Sequence, residues 1–324
     1  MRLFCASKGR SMKAIVKYGQ AAGEVALREI PEPVCGKKEV KIEVKACAIC
    51  ATDLHILEGS YPWNVGKVLG HEFSGIIREV GAEVTGFKPG DRVASCMEGG
   101  FGKYCVKAFD DWIFHIPDSI SFEEAALLEP LCSAANSVVN KSQILPGDVV
   151  LIEGPGAIGL FAMQIAKLSG AITVLTGITK DGGRMQLAKE LGCDYTLDVQ
   201  RENLQELVMN LTHGRGVDTV IECTGSQAGL NTGLALLKTA GQLTQVGVFG
   251  KHPQIDLGRV VYHSQKIIGS IAFDRETWRR CINLLDRKQV HVQEIISHTF
   301  PLEEWEKGFE VTKNQEGLRV LLIP

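Results

Sequence analysis

From Lys13 to Cys96 the chain reads in short apolar runs, several of them alternating with polar positions: "KAIVKYG", "EVALREI", "EVKIEVKACAI", "FSGIIREVG" and "DRVASC". Gly, Pro and Lys-Pro-Gly punctuation separates them, which predicts short strands in a small, partly open barrel. The rhythm then changes. "DVVLIEG" is a continuous apolar strand, "AIGLFAMQIAKLSG" an apolar-rich helix that stops at a glycine, "ITVLTG" a strand and "RMQLAKELG" a helix. "DTVIECTG", "GLNTGLALLKTAG", "GQLTQVGV" and "KIIGSIAF" continue the alternation. Strand–helix–strand units with fully apolar strands predict a parallel sheet covered on both faces. This domain is expected over residues 134–273, after a first domain over 1–133. A segment over 274–324, with "RETWRRCINLLDRK" as helix and "LRVLLIP" as final strand, is expected to return to the first domain. Residues 1–11 read as a loose tail.

A length of 324 residues exceeds one ordinary core and suits two domains. A net charge of −3 gives no attraction to nucleic acid or anionic lipid. No apolar run approaches the roughly 18 residues that span a bilayer. The ten cysteines lie scattered, and the basic start lacks the apolar stretch of a secretion signal. Reduced thiols in a cytoplasmic protein are the expectation.

Two patterns carry chemistry. In "VVLIEGPGAIGLFAMQIAK", Gly154, Gly156 and Gly159 form G-x-G-x-x-G between a strand and a helix, with Ala157 and Ile158 opening that helix. The first glycine permits a tight turn, the second lets backbone approach a pyrophosphate, and the third lets helix pack on strand. A NAD site commonly has an acidic residue at the end of the next strand, on the ribose 2′-OH. Here Thr176-Gly177 stand there, and Lys180 and Arg184 follow, each able to meet a 2′-phosphate. The expected cofactor is therefore NADP ahead of NAD. Thr224-Gly225 and Val246-Gly247 end two further strands and are candidates to line the nicotinamide end.

The second pattern begins at "ACAICATDLH". Cys47 and Cys50 form C-x-x-C, which fits a redox pair, half a zinc knuckle or part of a catalytic metal site. "VLGHEFSG" supplies His71 and Glu72, and "AALLEPLCSAANSV" supplies Glu129 within an apolar run. A thiolate, an imidazole and a carboxylate make a plausible tetrahedral zinc site with one open position.

"ACAICATDLH", "GHEFSGIIREVGAEVTGFKPGDRV", "FEEAALLEPL", "GPGAIG" and "HTFPLEEWEKGFE" together resemble the zinc-dependent medium-chain alcohol dehydrogenases, most closely their sorbitol and threonine dehydrogenase branch. The resemblance runs from Met12 to Pro324 and implies an α/β protein: a GroES-like, partly open β-barrel catalytic domain plus a Rossmann doubly wound parallel sheet. It implies Cys50, His71 and Glu72 as zinc ligands. Glu129 matches the carboxylate that holds the ion's water or reaches the ion itself. Thr52 and His55 match the hydroxyl and imidazole that carry the alcohol proton outward, Cys47 a cysteine that binds no metal, and Arg319 a cationic pyrophosphate contact. The C-x-x-C is then a coincidence of spacing.

Three departures from the family pattern alter the expectations. "GDRVASCMEGGFGKYCV" leaves no room for the lobe that carries four cysteines around a structural zinc, so one catalytic zinc per subunit is expected. Phe273 stands where the sorbitol branch carries an arginine for polyol hydroxyls, which favours a less polar secondary alcohol or its ketone as the small-molecule substrate. Ala48 and Ala51 replace common glycines. The expected reaction is hydride transfer from the alcohol carbon to nicotinamide, with zinc as Lewis acid, in a cleft at the carboxyl ends of the parallel strands. The alternatives are a zinc-free reductase of the quinone-reductase type and a nucleotide-binding protein without catalysis. By family analogy a homo-oligomer, dimer or tetramer, is expected, with "KIIGSIAF" as a pairing edge.

Overall fold

The computed structural model describes residues 6–324, with side chains from residue 9 onward. It divides into two compact units, one holding the chain up to Glu129 together with Val292–Pro324, the other Pro130–His291.

The first unit is built on a seven-stranded sheet. Across it run Ile296–Pro301, Arg319–Ile323, Glu39–Ala48, Glu72–Val80, Arg92–Cys96 and Ile113–His115, with Tyr104–Ala108 also paired to Glu39–Ala48. Glu39–Ala48 is its central strand, and alternate positions Val40, Ile42, Val44 and Ala46 are all buried. Fully burying one such aliphatic side chain contributes about 1.5–3 kcal/mol. These residues share a core with Phe73, Ile77, Phe101, Trp305 and Phe309.

Residues 6–11 are not the loose tail expected. They belong to strand Ala6–Lys17, which pairs antiparallel with Val25–Pro33, Ala6 facing Pro33 and Ser11 facing Pro31. Backbone pairing needs no apolar side chains, so a polar stretch joined this ladder without signalling it. Residues 1–5 lie outside the described residues.

The second unit is a six-stranded parallel sheet. Its order is Tyr195–Asp198, Ile172–Gly177, Val149–Glu153, Val217–Glu222, Leu237–Gln245, Lys266–Gly269. Numbered along the unit this is 3-2-1-4-5-6, the doubly wound order, and strand order reverses between Val149–Glu153 and Val217–Glu222. All five residues of Val149–Glu153 are buried, as a central parallel strand requires. Helix Ala157–Leu168 is buried over nine of its residues, so it is apolar nearly all round rather than on one stripe.

This unit extends further than the expected 134–273. Helix Arg275–Asp286 belongs to it, burying Trp278, Cys281, Ile282 and Leu285. His291 closes it: its amide N–H donates to Gln164 Oε1 at 2.7 Å and its carbonyl accepts from Gln164 Nε2 at 3.0 Å. Only the two strands and the helix after Val292 rejoin the first unit. Among the described residues no helix is long and apolar enough to cross a membrane.

Candidate active site

Cys50 stands at the N-cap of helix Ala51–Glu58. Asp53, fully buried, accepts from the Cys50 N–H at 2.9 Å and so closes the first turn. Asp53 Oδ1 faces His71 Nδ1 at 3.7 Å, and neither atom has a hydrogen-bond partner. His71 follows Gly70, whose φ is +85°; a Cβ there would come within 2.7 Å of Phe101 N and 2.8 Å of Cys47 Sγ. Only glycine admits that turn. Glu72 then opens strand Glu72–Val80 and is fully buried.

These elements bring a Cys50 sulfur, a His71 nitrogen and a Glu72 oxygen within 4.8 Å of one another. Arg319 Nη1 lies 3.1 Å and 3.0 Å from the two Glu72 oxygens. Glu129, on helix Leu128–Ala135, sits against this group without being one of the three converging donors. Burial, and then Glu72, push its carboxyl up to about 7. Burial works to lower the His71 pKa, but the acidic Asp53 and Cys50 side chains beside the ring outweigh it and hold it up to about 12. Both shifts have one origin, acidic side chains crowded together away from water: Asp53 and Cys50 beside His71, and Glu72 beside Glu129. A bound cation would relieve that crowding. One sulfur, one imidazole and one carboxylate are the donor chemistry of zinc, and with Nδ1 turned to Asp53 the nitrogen left for an ion is Nε2. The residues present therefore fit the metal.

The other expected members fall around this group. Thr52 Oγ1 is 3.8 Å from Cys50 Sγ. His55 is on the outer face of the same helix, its side chain 57% exposed, with Nδ1 3.4 Å from Ser60 Oγ. Cys47 is buried in the core, where desolvation raises its thiol pKa well above the ordinary value, and takes no place among the converging donors. Cys96 and Cys105, the two cysteines near the missing lobe, are buried with thiols pushed up to about 12. Sequence reasoning missed Asp53 and the pairing of Arg319 with Glu72. The aspartate three residues after Cys50 was a legible capping signal; a pair separated by 247 positions had none.

In the second unit the glycine loop has the geometry its spacing demands. Gly154 has φ +98°, and a Cβ on Gly159 would stand 2.0 Å from Gly154 O. A Cβ on Gly156 would meet nothing within 4 Å, so the space over that residue is open. Gly156 caps helix Ala157–Leu168 without a side-chain hydrogen bond, which leaves the first N–H groups, at Ala157 and Ile158, for an anion. A pyrophosphate fits this cradle.

Gly177 ends strand Ile172–Gly177, and Asp181 Oδ2 accepts from Ile178 N at 3.1 Å. Thr179 Oγ1 donates to Asp198 Oδ2 at 2.7 Å. Lys180 and Arg184 follow on this tied-down loop and the helix Gly182–Glu190. Thr224 and Gly225 lie in the turn after the fourth strand, Val246 and Gly247 in the turn after the fifth; a Cβ on Gly247 would lie 2.1 Å from Gly225 N, so the two turns touch.

Comparison with known proteins bears on the same two units. Residues 36–121 match the alcohol dehydrogenase GroES-like domain, and residues 157–287 match the zinc-binding dehydrogenase domain. A sorbitol dehydrogenase of Halalkalibacterium halodurans is 36% identical over 97% of this chain and 99% of its own length. An L-threonine 3-dehydrogenase of Bacillus velezensis is 34% identical over 98% of this chain and 100% of its own. Among solved structures, a provisionally named zinc-binding dehydrogenase from Sinorhizobium meliloti, bound to NADP, superposes with a TM-score of 0.89 at 27% identity, covering 97% of this chain and 100% of that one. With fold, donor set and dinucleotide loop all in agreement, the chain belongs to the zinc-dependent medium-chain alcohol dehydrogenases, in the sorbitol and threonine dehydrogenase branch, and is an NAD(P)-dependent oxidoreductase of alcohols.

Proposed function

We propose that the protein oxidises a secondary alcohol, or reduces the matching ketone, with one zinc ion per subunit held by Cys50, His71 and Glu72 and with NADP ahead of NAD. The observation that carries this reading is the approach of those three donor atoms to within 4.8 Å. When bound, zinc polarises the alcohol oxygen and lowers its pKa, and the cofactor accepts hydride. The chain's own residues do the rest. Asp53 fixes the His71 ring, and Arg319 and Glu129 flank Glu72. Thr52 relays the alcohol proton, accepting it while giving up its own hydroxyl proton in the direction of exposed His55, which releases a proton to solvent. Gly154, Gly156, Ala157, Ile158 and Gly159 cradle the pyrophosphate; Thr224, Gly225, Val246 and Gly247 line the nicotinamide side; Arg319 keeps the role of cationic pyrophosphate contact that the family resemblance gives it.

The lean to NADP rests on Lys180 and Arg184 and on the lack of a carboxylate directly after Thr176. The lean to a secondary alcohol rests on Phe273, whose ring packs on Trp278 at 5.3 Å where a polyol would want a cation. One experiment tests both leans: kcat/KM for a panel of secondary alcohols, ketones, polyols and L-threonine with each cofactor, with zinc content measured on the same sample. A polyol preferred with NAD, or two zinc ions per chain, would overturn them.

Two coarser properties go with this function. None of the nine described cysteines is in a disulfide, which suits a reducing cytoplasm. Among the described residues strand Lys266–Gly269 pairs on one side only, and beside it Tyr262 and Ile271 are 86% and 87% exposed. A second copy of the chain adding its own strand there would cover both, giving a homo-oligomer; a monomer in light scattering would refute it.

A further inference from the structure

The carboxyl ends of the first and fourth strands of the parallel sheet carry two glutamates, Glu153 and Glu222, which are direct register partners. Both are buried, at 4% and 0% exposure. They flank the point where strand order reverses, the place where doubly wound sheets bind ligands. Neither was singled out by the sequence, and neither belongs to the zinc group or the glycine cradle.

Their surroundings are unequal. Glu222 Oε1 accepts from Thr224 N at 2.8 Å and from the Thr224 hydroxyl; Oε2 accepts from Gly225 N at 2.9 Å and from the Gln245 side-chain amide. The Glu222 carbonyl accepts from Val246 N and Gly247 N, both at 2.9 Å. One residue thus holds the turn after the fourth strand and the turn after the fifth. Glu153 Oε2, by contrast, is buried with no partner at all. Four donors converge on the Glu222 carboxylate, while none reaches Glu153 Oε2, so Glu153 is the member that keeps its proton.

We propose that Glu222 is a positioning residue for the nicotinamide cofactor: its carboxylate clamps the turns Cys223–Gly225 and Gln245–Gly247 together, and Glu153 supports the clamp by standing beside it as a neutral acid. This rests on the reading that those turns line the cofactor. The groups packed on Glu153 leave little else to set its charge. Glu222 and the Cys223 thiol are the titratable neighbours; strand Ile172–Gly177 brings Thr176, and helix Gln227–Leu236 brings Gly233, whose Cβ, if it had one, would meet Glu153 Oε2 at 2.8 Å. Burial, and then Glu222, raise the Glu153 carboxyl well above the ordinary carboxylate range. Loss of that proton places two charges on adjacent strand ends and pushes the clamp apart.

The test is the dissociation constant of NADH and NADPH, read by fluorescence between pH 6 and pH 10, for the zinc-loaded wild type, Glu222→Gln and Glu153→Gln. Glu222→Gln replaces two charge-assisted acceptors by one neutral oxygen and a misplaced donor, and is expected to weaken binding by about tenfold or more at neutral pH with zinc content retained. The wild-type constant is expected to rise with pH, and Glu153→Gln, which cannot ionise, to remove that rise. Should Glu222→Gln not fold, the comparison of wild type with Glu153→Gln decides alone. Parallel pH profiles for those two proteins overturn the inference while leaving the cofactor site intact. A wild type that binds neither nucleotide overturns both.

Discussion

Arg319 places one guanidinium nitrogen between the two carboxylate oxygens of Glu72, at 3.1 Å and 3.0 Å, with both residues buried. The same arginine contacts the Ile49 carbonyl at 3.4 Å. Burial opposes its charge, but Glu72, Cys50 and Glu129 outweigh that and raise its pKa. A candidate zinc ligand is therefore already neutralised by a cation of the protein itself.

That pairing makes Arg319→Met informative. Removing one partner of a buried ion pair costs about 3 kcal/mol or more, because the other charge is left uncompensated. A zinc ion on Glu72 supplies the lost compensation. The expected outcome is a large fall in Tm for metal-free protein and a clearly smaller one for zinc-loaded protein, measured by calorimetry on both. Equal losses would show that zinc does not share Glu72 with Arg319.

The donor group predicts a separation of functions. Cys50→Ser and His71→Ala should each strip zinc during dialysis and abolish turnover, because either removes one of the three converging donors. Nucleotide binding should survive, since the glycine cradle lies in the other compact unit. Metal analysis and NADPH fluorescence on one preparation check both halves. Turnover in a zinc-free variant would remove the metal from the mechanism.

His55 stands on the exposed face of helix Ala51–Glu58, away from the converging donors. His55→Ala should leave zinc content unchanged and slow alcohol oxidation most at low pH. The deficit should close as pH rises and solvent hydroxide takes over proton removal. A pH–rate profile beside metal analysis tests this; a uniform deficit with lost zinc would make His55 a structural support of the site.

What was legible in the chain follows from which forces leave a local pattern. The parallel sheet was legible because its central strands, Val149–Glu153 above all, had to be apolar on both faces, and the glycine cradle because three backbone constraints fall within six residues. Helix Arg275–Asp286 was also legible, from Trp278, Cys281, Ile282 and Leu285 on one face. Periodicity says that such a face is buried, not against which sheet, so its assignment to the wrong domain was natural. Ser11 pairing with Pro31 uses backbone alone and wrote nothing into the side chains. Arg319 with Glu72 and Glu153 with Glu222 are long-range pairings of charged residues, which in one dimension look like solvated charges.

The Glu153–Glu222 pair also predicts how stability depends on pH. The Glu153 carboxyl is held above its unfolded value, near 4.3. Below the unfolded pKa both states carry the proton and no penalty exists. Above it the unfolded chain releases the proton while the folded one keeps it, so stability falls by about 1.4 kcal/mol per pH unit until the folded pKa is reached. Glu153→Gln cannot release a proton in either state and lacks this fall. The variant should therefore gain stability relative to wild type as pH is raised from 5 to 8, in urea unfolding of the metal-free protein. A difference between the two that stays constant over that range would mean that Glu153 ionises in the fold as readily as in water, and that the two strand ends tolerate both charges.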